Sequence, residues 1–211
     1  MSARLREASA ADVDALVAIK DELRFESGLA RPRGGFLLGC SPDHYAELVA
    51  NGCAIVLEER EKVAGFAIIL SDPLLRASEL WARRSNIRWH RGEAEPPDGE
   101  RIAYFDQLAL APGASRLNAA PLALAAVRRL IAAGHDRLYA TTLQAPIRNP
   151  AALPLLRAFG ARLVGQVTEH YEGVGEVVSA VHCASLGGVK APALSSPAGL
   201  RTAARAEAIA A

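Results

Sequence analysis

Asp106 is the residue whose placement most demands a chemical reason. It interrupts the apolar run Tyr104-Phe105-Asp106-Gln107-Leu108-Ala109-Leu110, and a carboxylate taken out of water must be paired or put to use. On a strand it shares a face with Leu108 and opposes Gln107. It is either a general base or binder for a cationic amine, or a carboxylate satisfied by an arginine of the 83–91 stretch. That stretch holds Arg83, Arg84, Arg88 and Arg91. Glu169-His170-Tyr171 places an acid, an imidazole and a phenol together at a strand end, either for proton transfer or as an ordinary polar terminus. Glu79 is a further carboxylate in a polar stretch. The arginines beside Trp81 and Trp89 could stack on a planar ligand or bind an acidic one; the plainer reading is a solvated loop pinned by its tryptophans.

Metal chemistry finds little support. The five histidines (44, 90, 135, 170 and 182) lack ligand spacing. Cys40, Cys53 and Cys183 show neither metal nor redox spacing, and Cys53 reads as packing at the start of an apolar strand. An odd cysteine count without a signal segment fits a reducing cytoplasm.

The 211 residues suffice for one domain with a large core and a short tail. Hydrophobic residues make up 51% and charged residues 22%, the balance of a globular chain. A net charge of +1 provides no field for nucleic acid or an anionic membrane, and no apolar run is long enough to span a bilayer.

Periodicity then supplies the elements that must position these groups. Arg4–Glu7 alternates as a short strand. Ser9, with Asp12 three residues on, opens a helix over 10–24 whose apolar face includes Val13, Leu16, Val17 and Ile19–Lys20. A loop over 25–40 centres on Arg31-Pro32-Arg33-Gly34-Gly35. A second helix runs from Ser41-Pro42 to Asn51-Gly52. Strands follow at 53–57 and 63–70 around the charged turn 58–62. Residues 71–100 read as a long polar loop with one helix around 77–86. A strong strand spans 102–110, a helix 119–133 ends at Gly134, and a strand runs over 137–143. Asn149 caps a helix with Pro150 at its first position and Gly160 at its close. Two strands, 162–170 and 174–184, turn at Gly173 or Gly175. The domain is taken as 1–186, followed by a flexible Ala/Pro/Ser-rich tail over 187–211. The pattern is mixed α/β with hairpins.

Two stretches and this element order resemble the GNAT family of acyl-CoA N-acyltransferases. Asn149, Ala152, Leu155 and Gly160 match its late motif N-x-x-A-x-x-F/L-Y-x-x-x-G-F, while Leu156 replaces the usual tyrosine and Ala161 the final aromatic. Tyr104 to Pro112 is similar to the family strand Y-x-D-x-L-x-V-x-P. The likeness covers about residues 3–186 and implies a mostly antiparallel sheet splayed between its fourth and fifth strands, with helices on both faces.

The resemblance implies a function as well. Acetyl-CoA would be the co-substrate, its pantetheine arm pairing with backbone groups of Gln107, Leu108, Ala109 and Leu110. A backbone N–H near Leu108 would meet the oxyanion. Arg116, Asn118, Ala119 and Ala120 would cradle the pyrophosphate at a helix N-terminus, although the family's loop glycines are absent and Pro121 removes a donor. Asn149 would complete the cofactor-binding set. Asp106 would be the catalytic base, and Tyr171 would replace the missing tyrosine as acid. The expected reaction moves an acetyl group to a primary amine of a small molecule or peptide by direct attack, in a cytoplasmic protein, with homodimerisation a family habit. The competing expectation is a non-catalytic module that senses acyl-CoA or binds a protein partner.

Overall fold

The computed structural model describes residues 3–25 and 34–187. The centre of the expected 25–40 loop and all but the first residue of the expected tail lie outside them.

Strand β1 (Arg4–Glu7) leads through a 3-10 turn (Ala10–Asp12) into α1 (Val13–Glu22), and α2 (Pro42–Ala50) follows. The α1 entry is tied by Asp12, whose Oδ2 accepts from the Ser9 backbone N at 2.7 Å and from Ser9 Oγ at 2.9 Å. The Arg6 guanidinium grips the same carboxylate at 2.7 and 2.8 Å. Ser41 Oγ accepts from His44 N at the start of α2, with Pro42 in the first turn.

Strands β2 (Ala54–Glu59) and β3 (Lys62–Leu70) form a hairpin whose two loop residues, Arg60 and Glu61, have φ of 52° and 62°. Two left-handed residues in a two-residue loop are the I′ geometry that matches strand twist. Next come α3 (Asp72–Ala77), α4 (Glu79–Ala82), a 3-10 turn (Arg83–Asn86) and β4 (Ile87–Trp89). The long central strand is β5 (Ile102–Leu110). Then follow α5 (Ala119–Ala132), β6 (Arg137–Ala145), α6 (Leu153–Ala158), β7 (Arg162–Tyr171) and β8 (Gly175–Ser185). Leu122, Ala126 and Val127 form the buried face of α5, and Gly134 closes the helix at φ 75°.

The eight strands hydrogen-bond in the order β1-β2-β3-β5-β6-β8-β7-β4. The β5–β6 pair is parallel, and the registers of β1–β2, β2–β3, β4–β7, β6–β8 and β7–β8 are antiparallel. The chain forms two compact units that divide after Ile69 near the end of β3, within β5 after Phe105, and within α5 after Arg129. Leu16, Tyr45, Phe66 and Ile68 are buried in the first unit. In the second, Leu75, Ile102, Tyr104, Tyr139 and Val164 form one apolar cluster, against which Trp81 and Trp89 pack.

The mostly antiparallel mixed sheet and its element order agree with expectation, with three corrections. Residues 71–100 are not one long loop with a single helix. Ser78 Oγ accepts from Trp81 N and starts a new short helix, and β4 pairs with β7 through Ile87↔Val167 and Trp89↔Gly165. The last helix begins at Leu153, not at Asn149. Finally, α1 gains regular α-helical form only at Val13, after a 3-10 turn.

Candidate functional site

The parallel ladder between β5 and β6 joins Ile102↔Arg137 through Phe105↔Ala140. Asp106 follows on β5, in the part of the strand that belongs to the first unit.

Asp106 is exposed to solvent, so the expectation of a buried carboxylate is corrected. Its Oδ2 accepts from Gln107 Nε2 at 2.8 Å, and Gln107 Oε1 accepts from the Tyr45 hydroxyl at 2.6 Å. Tyr45 is fully buried, edge-on to Phe66 with ring centroids 5.8 Å apart. The Lys20 ammonium sits 5.1 Å from the Phe36 ring centroid and 5.7 Å from that of Tyr45. Desolvation pushes the Asp106 carboxyl up from its ordinary value, against the Gln107 hydrogen bond and the nearby charges of Lys20 and His44, and the residue's exposure to solvent tempers that push. Desolvation lowers the pKa of Lys20 and raises that of the Tyr45 phenol.

Two features fix the rest of β5. A Cβ on Gly65 of β3 would meet Leu110 Cδ2 at 2.6 Å and the Ala109 carbonyl oxygen at 2.7 Å, so the glycine permits a close strand approach. Ala111 N then donates to Ala64 O at 2.9 Å. Ala109 is buried, and Leu108 and Leu110 are half-buried.

Beyond β5, Ala114 N donates to Ala111 O at 2.8 Å, and a 3-10 turn (Arg116–Asn118) leads into α5. Arg116 is exposed, and Ala119 and Ala120 are half-buried in the first turn of α5. Asn118 does not adopt a left-handed conformation: it lies in the 3-10 turn, and its side-chain amide donates to Glu59 Oε1. Pro121 stands in the first turn, where its missing N–H costs the helix nothing.

The remaining expected residues lie in the second unit. Asn149 Oδ1 accepts from Ala151 N at 3.3 Å, and its own N–H donates to Leu143 O at 2.9 Å. Asn149 thus makes a turn before the helix, not the helix cap itself. Leu156, at the place of the family tyrosine, is buried. The Tyr171 hydroxyl donates to Glu169 Oε2 at 3.0 Å, Arg83 pairs with Glu169 Oε1 at 3.1 Å, and the Arg83 guanidinium lies 5.8 Å from the Tyr171 ring centroid. Burial pushes the Tyr171 phenol up, reinforced by Glu169.

On β6 and β8, Thr142 Oγ1 lies 2.9 Å from His182 Nε2 and accepts from Gln144 Nε2 at 3.2 Å. Burial, and then the charge of Arg157, lower the pKa of His182. Trp81 lies under the guanidinium groups of Arg76 and Arg84, 4.8 and 4.6 Å from its ring centroid, so the arginine–tryptophan stretch closes on itself. Among the described residues no cluster of three or more His, Cys, Asp or Glu could hold a metal ion, and no helix is long and apolar enough to cross a membrane.

Sequence reasoning missed Tyr45, Gln107 as a side chain, and Lys20. Only Lys20 left a signal, as a cation in the apolar face of α1.

No protein-family model and no curated protein matches the sequence. Solved structures do. The chain is similar to an N-acetyltransferase from Staphylococcus aureus Mu50 at 16% identity and TM-score 0.59, covering 88% of this chain and 99% of that one. It is similar to the ribosomal-protein-S18-alanine N-acetyltransferase of Escherichia coli at 15% identity and TM-score 0.56, covering 88% and 94%. The N-acetylglutamate synthase of Neisseria gonorrhoeae, complexed with coenzyme A and N-acetyl-glutamate, matches at 14% identity and TM-score 0.53 over 88% of this chain and 35% of that one.

Proposed function

We propose that this chain, which has the fold of the GNAT N-acyltransferases, moves an acetyl group from acetyl-CoA to a primary amine. The observation that carries the reading is a solvent-reached carboxylate, Asp106, in the middle of β5, bonded through Gln107 to the buried Tyr45.

In this reading the backbone of Leu108, Ala109 and Leu110 pairs with the pantetheine arm, as an added strand would. An N–H near Leu108 meets the oxyanion that forms when the amine attacks the thioester carbon. Arg116 and the first N–H groups of α5, at Ala119 and Ala120, bind the pyrophosphate. Asn118 contributes by position, since its amide is committed to Glu59. Asn149 holds the turn before α6.

Asp106 takes the proton of the acceptor ammonium. The nitrogen lone pair forms the new C–N bond, the tetrahedral nitrogen gives its second proton to solvent, the C–S bond breaks, and the departing thiolate takes a proton. The acceptor is an amine of a small molecule or peptide.

A second reading follows from Leu156, an apolar buried side chain where the family places a phenol: a module that binds acyl-CoA without turning it over. Calorimetric titration with acetyl-CoA, together with thiol release across a panel of amines, separates the two. Binding with release supports the transferase, and binding without release supports the module. Absence of binding overturns both.

A further inference from the structure

We propose that Tyr45 and Gln107 are positioning residues that orient the Asp106 carboxylate and hold it ready to accept a proton from a cationic acceptor. The inference rests on the transferase reading and deepens it.

The geometry is a relay of fixed direction. The two ends of a side-chain amide have nearly the same shape, so its orientation follows from its partners, and here the Asp106 carboxylate, which can only accept, decides. With its NH2 group on Asp106 Oδ2 at 2.8 Å, Gln107 turns its oxygen to the Tyr45 hydroxyl, which donates at 2.6 Å. Tyr45 is 0% exposed and Gln107 8% exposed, so the bond between them is shielded from bulk water. Phe66 packs edge-on against the Tyr45 ring and Lys20 lies over it, which holds the phenol in place. The amide engages Oδ2, which leaves Oδ1 for the acceptor ammonium. A buried glutamine on the opposite strand face thereby controls an exposed carboxylate.

The charged and titratable groups around Asp106 in the same unit are Lys20 of α1, Cys40 before α2, His44 and Tyr45 of α2, and Cys53 before β2. Lys20 and the Gln107 N–H favour the ionised carboxylate, while the protein around it disfavours charge. Removing the amide donor should therefore raise the protonation midpoint of Asp106, and releasing Tyr45 should do so more weakly.

The test has two readouts on the full chain. The first is the Asp106 carboxyl titration followed by carbon-13 NMR without acetyl-CoA, assigned by its loss in Asp106→Asn. The second is the acidic limb of the kcat/KM profile for thiol release. Gln107→Met should move the carboxyl midpoint up by about one pH unit, and the acidic limb with it. Tyr45→Phe should move both in the same direction by less. If Gln107→Met does not fold, Tyr45→Phe decides alone. Midpoints unchanged in every folded variant would overturn the inference. A wild-type chain that releases no thiol, but whose Asp106 titration shifts in Gln107→Met, would instead sink the transferase reading and leave the relay standing.

Discussion

Gly65 and Leu110 meet so closely that no side chain fits between them: a Cβ on the glycine would stand 2.6 Å from Leu110 Cδ2. The nearby Ala109 carbonyl oxygen is backbone and cannot swing away. Gly65→Ala should therefore destabilise the fold by about 1–3 kcal/mol, as overpacking does. Gly113 provides the contrast, with nothing within 4 Å of its virtual Cβ. Gly113→Ala should be neutral or stabilise by about 0.5 kcal/mol. Urea midpoints of the two variants check this, and equal midpoints would refute the tight contact.

Replacing Asp106 by Asn keeps the shape and removes the proton acceptor. Under the transferase reading kcat/KM should fall about 100-fold, at the lower end of what general-base catalysis supplies. Because the residue is solvent-exposed, the thermal midpoint should hardly move. Full activity in a folded Asp106→Asn variant would make the carboxylate structural.

Arg116 is exposed beside the start of α5, so its contribution should be electrostatic and easily screened. Arg116→Ala should raise KM for acetyl-CoA about five-fold at low salt, equivalent to about 1 kcal/mol. The ratio between variant and wild type should shrink as salt is added. An unchanged KM at low salt would remove this loop from the pyrophosphate site.

Asp12 gives a pH-dependent test of stability. Hydrogen bonds from Arg6 hold its carboxyl well below the ordinary 3.8. With a depressed folded pKa, its stabilising contribution is present above the unfolded value and lost as pH falls through the folded one. Arg6→Ala should cost about 1–3 kcal/mol at neutral pH, in the range of charge-assisted hydrogen bonds. Denaturation midpoints of variant and wild type should converge only in strong acid. A constant gap would show that packing, not ionisation, carries the effect.

His182 titrates in a different window. Burial and Arg157 lower its pKa from 6.5, so the fold holds it neutral. Its contribution is present above 6.5 and is lost as pH falls through the folded value. His182→Gln should flatten the decline in stability between neutral and mildly acidic pH, as read from urea midpoints. An identical slope in the variant would refute this.

The sequence revealed those parts that repeat a pattern over many residues. The alternation of β5 and the four-residue spacing of α5 gave their positions to within a residue or two. The short pieces escaped. Ile87–Trp89 is only three residues long, and it becomes a strand because β7, far along the chain, pairs with it. Asn149-Pro150 carries the signature of a helix cap, yet the same asparagine oxygen can close a turn onto Ala151, and the chain takes that option. At the candidate site, Asp106 stood out because a carboxylate in an apolar run is chemically conspicuous. Its partner did not, because Tyr45 and Gln107 are 62 residues apart and neither is unusual where it stands.

The hairpin loop at Arg60–Glu61 reaches further than its size suggests. Its two left-handed residues set Glu59↔Lys62 and Glu58↔Val63, and a bulge between Leu57 and Glu58 then shifts the register by one so that Gly65 faces Leu57. A slip of one position would bring Ala64 or Phe66 to the place of Gly65, and β5 could no longer seat there. A small surface turn, remote in sequence from any candidate residue, therefore works as the gauge that places the reactive strand.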